Sequence, residues 1–193
     1  MNLRGILLAA GYSRRFGSNK LLQALPAGAP DAGTPISLAS ARHFLEVLPD
    51  AIAVVRPRAQ KLGELLRTAG CSTVVCKNAG EGMGTSLAAG VRASADADGW
   101  IVALADMPFI RPETIRRIVT ALEEGAVIAA PSHKGQRGHP VGFARRCYDD
   151  LSVLKGDAGA RDLLARHPEW ITLYETDDPG VLRDIDMPSD LAR

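Results

Sequence analysis

The segment Leu8-Ala9-Ala10-Gly11-Tyr12-Ser13-Arg14-Arg15-Phe16-Gly17-Ser18-Asn19-Lys20 sets two glycines, two serines and three cations directly after an apolar run. Glycines let backbone N–H groups turn inward as a nest for phosphate oxygens, and Arg15 and Lys20 add charge-assisted contacts. The spacing is not that of a Walker loop, because Lys20 stands three residues past Gly17. Nor does the segment open with the Gly-x-Gly of a dinucleotide fingerprint. The plainer alternative is a solvated basic turn leading into a helix.

Two acidic clusters could serve the same chemistry. Asp106-Met107-Pro108 follows the apolar run Trp100 to Ala105, so its carboxylate stands at the carboxyl end of a strand. Near a triphosphate it would suit Mg²⁺, a hard cation that prefers carboxylate and phosphate oxygens. Alone, Asp106 reads equally as a turn or capping residue ahead of a helix beginning at Pro112. Asp184 and Asp186 share one face of an extended segment, so either could be the second ligand, or both could belong to a solvated turn.

Other signals carry less. Gly80-Glu81-Gly82-Met83-Gly84 follows an apolar run and opens a helix, as a dinucleotide loop would, but Thr85 takes the place of the last glycine. Asp157 reads as a helix cap with Arg161 one turn on. Cys71, Cys76 and Cys147 form no Cys-x-x-Cys pair and suggest neither a disulfide framework nor a zinc site.

The elements that must position these groups alternate regularly. Ile6 to Ala9, Ala51 to Val55, Thr73 to Cys76, Trp100 to Leu104 and Val127 to Ala130 are apolar on both pleat faces, as buried strands require. Between them, Ser37 to Leu48, Arg58 to Ala69 and Glu113 to Leu122 have helical spacing, with Pro112 at a first turn and Gly70 and Gly125 as C-terminal caps. Strict succession of this kind means βαβ units and a mostly parallel sheet covered by helices on both faces. After Lys134 come a Gly-rich turn, a short run at Pro140 to Phe143, two helical stretches and a strand at Ile171 to Tyr174. Pro26 to Pro35 reads as a surface loop.

With 193 residues, the expectation is a single domain over 1–193. A hydrophobic fraction of 46% excludes a disordered chain, and a net charge of +1 gives no electrostatic reason to expect nucleic acid or an anionic membrane as partner. The N-terminal apolar stretch of roughly seven residues is too short for a signal-peptide core or a membrane span, so a cytoplasmic protein is expected.

The opening motif resembles that of the sugar-nucleotide and cofactor nucleotidyltransferases. The likeness narrows through Glu81-Gly82-Met83-Gly84-Thr85-Ser86-Leu87, Asp106-Met107-Pro108-Phe109, Gly138-His139-Pro140-Val141, Gly156-Asp157-Ala158-Gly159-Ala160-Arg161 and Asp184-Ile185-Asp186-Met187-Pro188-Ser189-Asp190. Taken in order, these blocks resemble the molybdenum cofactor cytidylyltransferase and guanylyltransferase group. Phe16 stands where that group usually has Met and Met187 where it usually has Thr, and the Pro26 to Pro35 loop is longer than its common form.

The resemblance implies a three-layer α/β/α Rossmann-like nucleotidyltransferase fold. It implies nucleotide contacts from Leu8, Ala9, Ala10, Gly11, Ser13 and Gly17, with Gly82 and Ser86 near the base and ribose. It gives Arg15, Lys20 and Asp106 catalytic roles, Asp106 and Asp186 the Mg²⁺, and His139 and Arg161 the acceptor. Relatives that use GTP generally carry Gly-Gly where this chain has Ala10-Gly11, so CTP is favoured. The expected reaction is Mg²⁺-dependent transfer from CTP to molybdopterin, with a molybdoenzyme or its maturation chaperone as recipient. The rivals are a GTP-using relative, a non-catalytic cofactor carrier of the same fold, and a dinucleotide oxidoreductase using the Gly80 loop.

Overall fold

The computed structural model describes residues 1–13, 16 and 19–192; Arg14, Arg15, Gly17, Ser18 and Arg193 lie outside the described residues. In chain order the regular elements are β1 (Leu3–Ala9), α1 (Ile36–Leu45), β2 (Ile52–Val55), α2 (Gln60–Ala69), β3 (Ser72–Val75), α3 (Met83–Ala93), β4 (Gly99–Leu104), α4 (Pro112–Glu123), β5 (Ile128–His133), β6 (Gln136–Arg137), β7 (Val141–Ala144), α5 (Tyr148–Ser152), α6 (Arg161–Arg166) and β8 (Ile171–Glu175). Among them no helix is long and apolar enough to cross a membrane.

The strands form one sheet in the order β3-β2-β1-β4-β7-β5-β6, with β8 also paired to β5. β3, β2, β1 and β4 run parallel, β7 is antiparallel to both its neighbours, and β8 is parallel to β5. Alternation along each strand splits the core in two. Leu7, Ala9, Ile101 and Ala103 face Phe44 of α1, Leu66 of α2 and Ile118 of α4. Ile6, Trp100 and Val102 face Val91 of α3, Leu151 of α5 and Leu163 of α6. Helices therefore cover both faces, and near-continuous apolar runs are what such strands need. At Gly90 a Cβ would lie 2.8 Å from Ile6 Cγ2, so α3 approaches the sheet more closely than a side chain permits.

The run Thr73 to Cys76 departs from the expectation of a strand buried on both faces. β3 is an edge strand of the sheet, and Val75 is 56% exposed. Periodicity reports an apolar run, not whether a neighbour covers it.

The chain builds β1, β2 and β3 to one side and then returns to place β4 on the other side of β1. This reversal sets the carboxyl ends of β1 and β4 side by side, with Leu8 opposite Leu104 and the Ala105 N–H donating to the Leu8 carbonyl at 3.0 Å. Ligands of open α/β sheets bind at such a reversal.

Asp106 does not cap α4. That helix begins beside the buried Asp178, whose Oδ2 accepts from the Arg111 N–H and the Thr114 hydroxyl, each at 2.8 Å, while its Oδ1 accepts from the Gly180 N–H at 2.9 Å. Asp178→Ala strands three donors and is expected to lower unfolding stability by about 2–4 kcal/mol, read by urea denaturation.

Candidate active site

A cleft of about 400 Å³ opens at the carboxyl ends of β1 and β4. One wall is the loop after β1, with Ala10, Gly11, Tyr12 and Ser13. A second is the entry to α3, with Ala79, Gly80, Gly82, Met83 and Ser86. Lys20, Asp106, Asp157 and Asp186 complete the lining, with Leu8, Leu21 and Leu104 beneath.

Lys20 is at the centre of the polar groups. Its Nζ lies 2.8 Å from Asp106 Oδ2 and 2.9 Å from Asp186 Oδ1, and its side chain is only 10% exposed. Burial pulls the ammonium's pKa down, but the charge and hydrogen bond of Asp106, then of Asp186, outweigh this and hold it above its ordinary value. α1 anchors both partners. Ser37 Oγ donates to the Leu21 carbonyl at 2.7 Å, beside Lys20, and Ser40 Oγ donates to the Ala105 carbonyl at 3.0 Å, beside Asp106.

Asp186 is held in place by backbone contacts. The Asp186 and Met187 N–H groups donate to Asp190 Oδ2 at 2.9 and 2.8 Å, and the Ile185 N–H donates to the Asp106 carbonyl at 3.0 Å. Asp190 thereby fixes the backbone that carries Asp186, although Met187 offers no hydroxyl. Asp184 does not line the cleft. Its carboxyl is nevertheless raised above the usual carboxylate range, by burial first and then by Asp186 and Asp106.

Several polar atoms of this region are buried without a partner among the described residues: Asp106 Oδ1, Ser13 Oγ and Thr85 Oγ1. Buried polar atoms ordinarily find partners, so orphans lining or flanking a cleft mark groups that a ligand would satisfy. Ser13 also has φ +50°, an uncommon conformation for a residue with a Cβ. Next to it, the Arg56 guanidinium lies 4.7 Å from the Tyr12 ring centroid, and Arg56 Nη1 donates to the Gly11 carbonyl at 3.3 Å.

A divalent cation fits the acidic side of the cleft. The donors there would be carboxylate oxygens, and Asp106 Oδ1 is buried without a partner among the described residues. Among the described residues no group of three or more His, Cys, Asp or Glu could hold a metal ion by itself. A cation there would draw further ligands from a substrate, as Mg²⁺ does when it binds through one or two carboxylates plus phosphates.

The glycines of the Gly80 to Gly84 loop have a packing explanation. Gly82 has φ +123°, and a Cβ on it would lie 2.3 Å from the Gly156 carbonyl carbon. The Gly84 N–H donates to the Gly156 carbonyl at 2.8 Å. The loop is thus docked against the backbone of residues 155–157, which accounts for its small residues without a dinucleotide. Asp157, expected as a helix cap, instead lines the cleft, while α6 starts from Ala160 with no side-chain cap.

Of the residues singled out in the sequence, Leu8, Ala10, Gly11, Ser13, Lys20, Gly82, Ser86, Asp106 and Asp186 come together in this cleft. Arg15 and Gly17 lie outside the described residues. Ala9, His139 and Arg161 do not line it. The Ala9 side chain packs into the core because alternation along β1 turns it from Leu8. Arg161 is exposed at the first turn of α6. Tyr12, Leu21, Met83 and Asp157 line the cleft and were not singled out as site residues. Tyr12, Met83 and Asp157 stand inside the motif blocks, which is the available signal.

His139 lies before β7, its Nδ1 buried and without a partner among the described residues. Burial, then the charge of Arg137, lowers its pKa to about 4, against the opposing pull of Asp184 and the Val102 carbonyl. An unfolded histidine titrates near 6.5, so between those values the unfolded chain binds more protons and stability falls with acidification. Above pH 6.5 the effect is absent. His139→Gln is expected to flatten urea-derived stability across pH 4–6.5 by up to about 1.4 kcal/mol per pH unit.

Comparison with known proteins places the chain in context. A family model described as MobA-like NTP transferase domain matches residues 5–170. Purine catabolism protein PucB of Bacillus subtilis (strain 168) is 34% identical over 199 residues, covering 97% of this chain and 93% of that protein. Nicotine blue oxidoreductase of Paenarthrobacter nicotinovorans is 26% identical over 98% of this chain and 94% of its own length. Among solved structures, Rv0371c from Mycobacterium tuberculosis H37Rv superposes with a TM-score of 0.80 at 27% identity, covering 100% of this chain and 96% of that one. Its complex with manganese gives 0.77 at 26% identity, covering 100% and 97%.

Proposed function

Since this chain belongs to the MobA-like NTP transferase domain family and is a nucleotidyltransferase, we propose that it transfers the cytidylyl group of CTP to the phosphate of a molybdopterin-type acceptor, with Mg²⁺. The observation that carries this reading is the meeting of Lys20, Asp106 and Asp186 in one cleft with the Ala10 to Ser13 loop.

The acceptor's phosphate monoester has a second pKa of about 6, so its oxygen is anionic near neutral pH and needs no general base. Among the described residues that line the cleft there is no histidine or cysteine, which suits such a reaction. The acceptor oxygen forms a bond to the α-phosphorus as the bond to the β-phosphate oxygen breaks, and pyrophosphate leaves. What remains is to hold two anions together and neutralise charge developing on the phosphates. Lys20 supplies one fixed positive charge, and the backbone N–H groups around Gly11 and Ser13 supply dipoles. Mg²⁺ held by Asp106 and Asp186 would neutralise the triphosphate oxygens when bound.

Preference for CTP rests on Ala10, which is buried and lines the cleft. Its methyl group narrows the space a glycine would leave for a purine. The acceptor rests on the motif blocks shared with the molybdenum cofactor nucleotidyltransferases. The test is a panel of CTP, GTP, UTP and ATP against molybdopterin with and without its metal, read by pyrophosphate release. CTP-dependent release with molybdopterin is expected; equal turnover of GTP defeats the nucleotide assignment, and no release with any pair defeats the reaction. Because one relative is named an oxidoreductase, the panel includes NADH with a dye as electron acceptor, and dye-dependent NADH oxidation without pyrophosphate release would replace this reading.

A further inference from the structure

The Lys20 ammonium sits between the two acids proposed to hold the cation, 2.8 Å from Asp106 Oδ2 and 2.9 Å from Asp186 Oδ1. It is nearly enclosed, on a short turn that Ser37 fastens to α1. A positive charge tethered to the chain therefore already engages both acids, through Asp106 Oδ2 and Asp186 Oδ1. A divalent ion drawn to the same two acids would lie within a few ångströms of that nitrogen, and its charge would be repelled by it. The ammonium neutralises charge on both carboxylates. No third acid among the described residues completes a metal cluster.

We infer that Lys20 is a built-in counter-ion that keeps the two-acid site closed to free divalent cations until a triphosphate enters. The triphosphate's anionic oxygens draw the ammonium off Asp106 and Asp186 and supply the ligands that the protein lacks. Cation and nucleotide therefore bind as linked events, and the cleft does not fill with metal alone. This order rests on the reading of Asp106 and Asp186 as metal ligands.

Binding of Mn²⁺, followed without nucleotide through the loss of its free-ion electron paramagnetic resonance signal, tests it. The wild-type protein is expected to bind weakly, and Lys20→Met about tenfold or more tightly. Lys20→Gln, which keeps a polar group in the turn, is expected to gain affinity as well, and cooperative unfolding of each variant is checked alongside. Equal affinity in the wild type and both variants overturns the counter-ion role while leaving the two acids as ligands. Failure of either folded variant to gain affinity overturns it too. If Lys20→Met gains affinity and the gain survives addition of Asp106→Ala, the assignment of Asp106 as a ligand fails instead.

Discussion

Asp106→Ala is expected to cut pyrophosphate release by about 10³-fold or more, equivalent to at least about 4 kcal/mol of transition-state stabilisation. The unfolding transition should survive, because Asp106 caps no helix and its structural neighbours act through the backbone. The Ile185 N–H donates to the Asp106 main-chain carbonyl, which alanine retains. What alanine removes is one partner of Lys20 and the orphaned Oδ1. Steady-state rates with saturating nucleotide, set beside a denaturation curve, separate lost chemistry from lost folding. Near-normal turnover by a folded Asp106→Ala variant would remove this acid from the mechanism.

The second large effect concerns Lys20. Lys20→Ala is expected to raise KM for the nucleoside triphosphate about tenfold and lower kcat about 10²-fold. Both parameters are expected to move because, in the proposed reaction, the ammonium would meet the triphosphate on binding and face more charge as pyrophosphate departs. Charge-assisted hydrogen bonds in an enclosed site have this weight, and burial of the Lys20 side chain to 10% exposure leaves little solvent to replace it. A change confined to KM would mean that Lys20 binds the ground state and the transition state equally and contributes nothing specific to the chemical step.

The central strands were legible in the sequence because β1 and β4 are covered on both faces, and full coverage is written into a chain as unbroken apolar runs such as Ile6 to Ala9 and Trp100 to Leu104. An edge strand with one open side can carry the same letters, as β3 does with Val75. The cleft's main residues were legible for a related reason. A glycine- and cation-rich loop must follow the first strand directly, and a carboxylate must end the strand that packs beside it. Contacts between distant segments were not legible. Asp184 and Asp186 share a face at i and i+2, and it takes the Asp190 clamp, the position of Lys20 and the lining of the cleft to distinguish them. Asp157 has the local spacing of a cap, yet docking of residues 155–157 against Gly82 and Gly84 gives it a place in the cleft. Asp178 meets Thr114 across 64 residues, beyond any local pattern.

The most direct test is a crystal structure with a non-hydrolysable CTP analogue and Mn²⁺, with the metal located by anomalous scattering. The ion is expected within coordination distance of Asp106 and Asp186, with Lys20 moved onto the triphosphate between the Gly11 loop and the start of α3. An ion or a triphosphate bound elsewhere, with Lys20 still joined to both carboxylates, would contradict it.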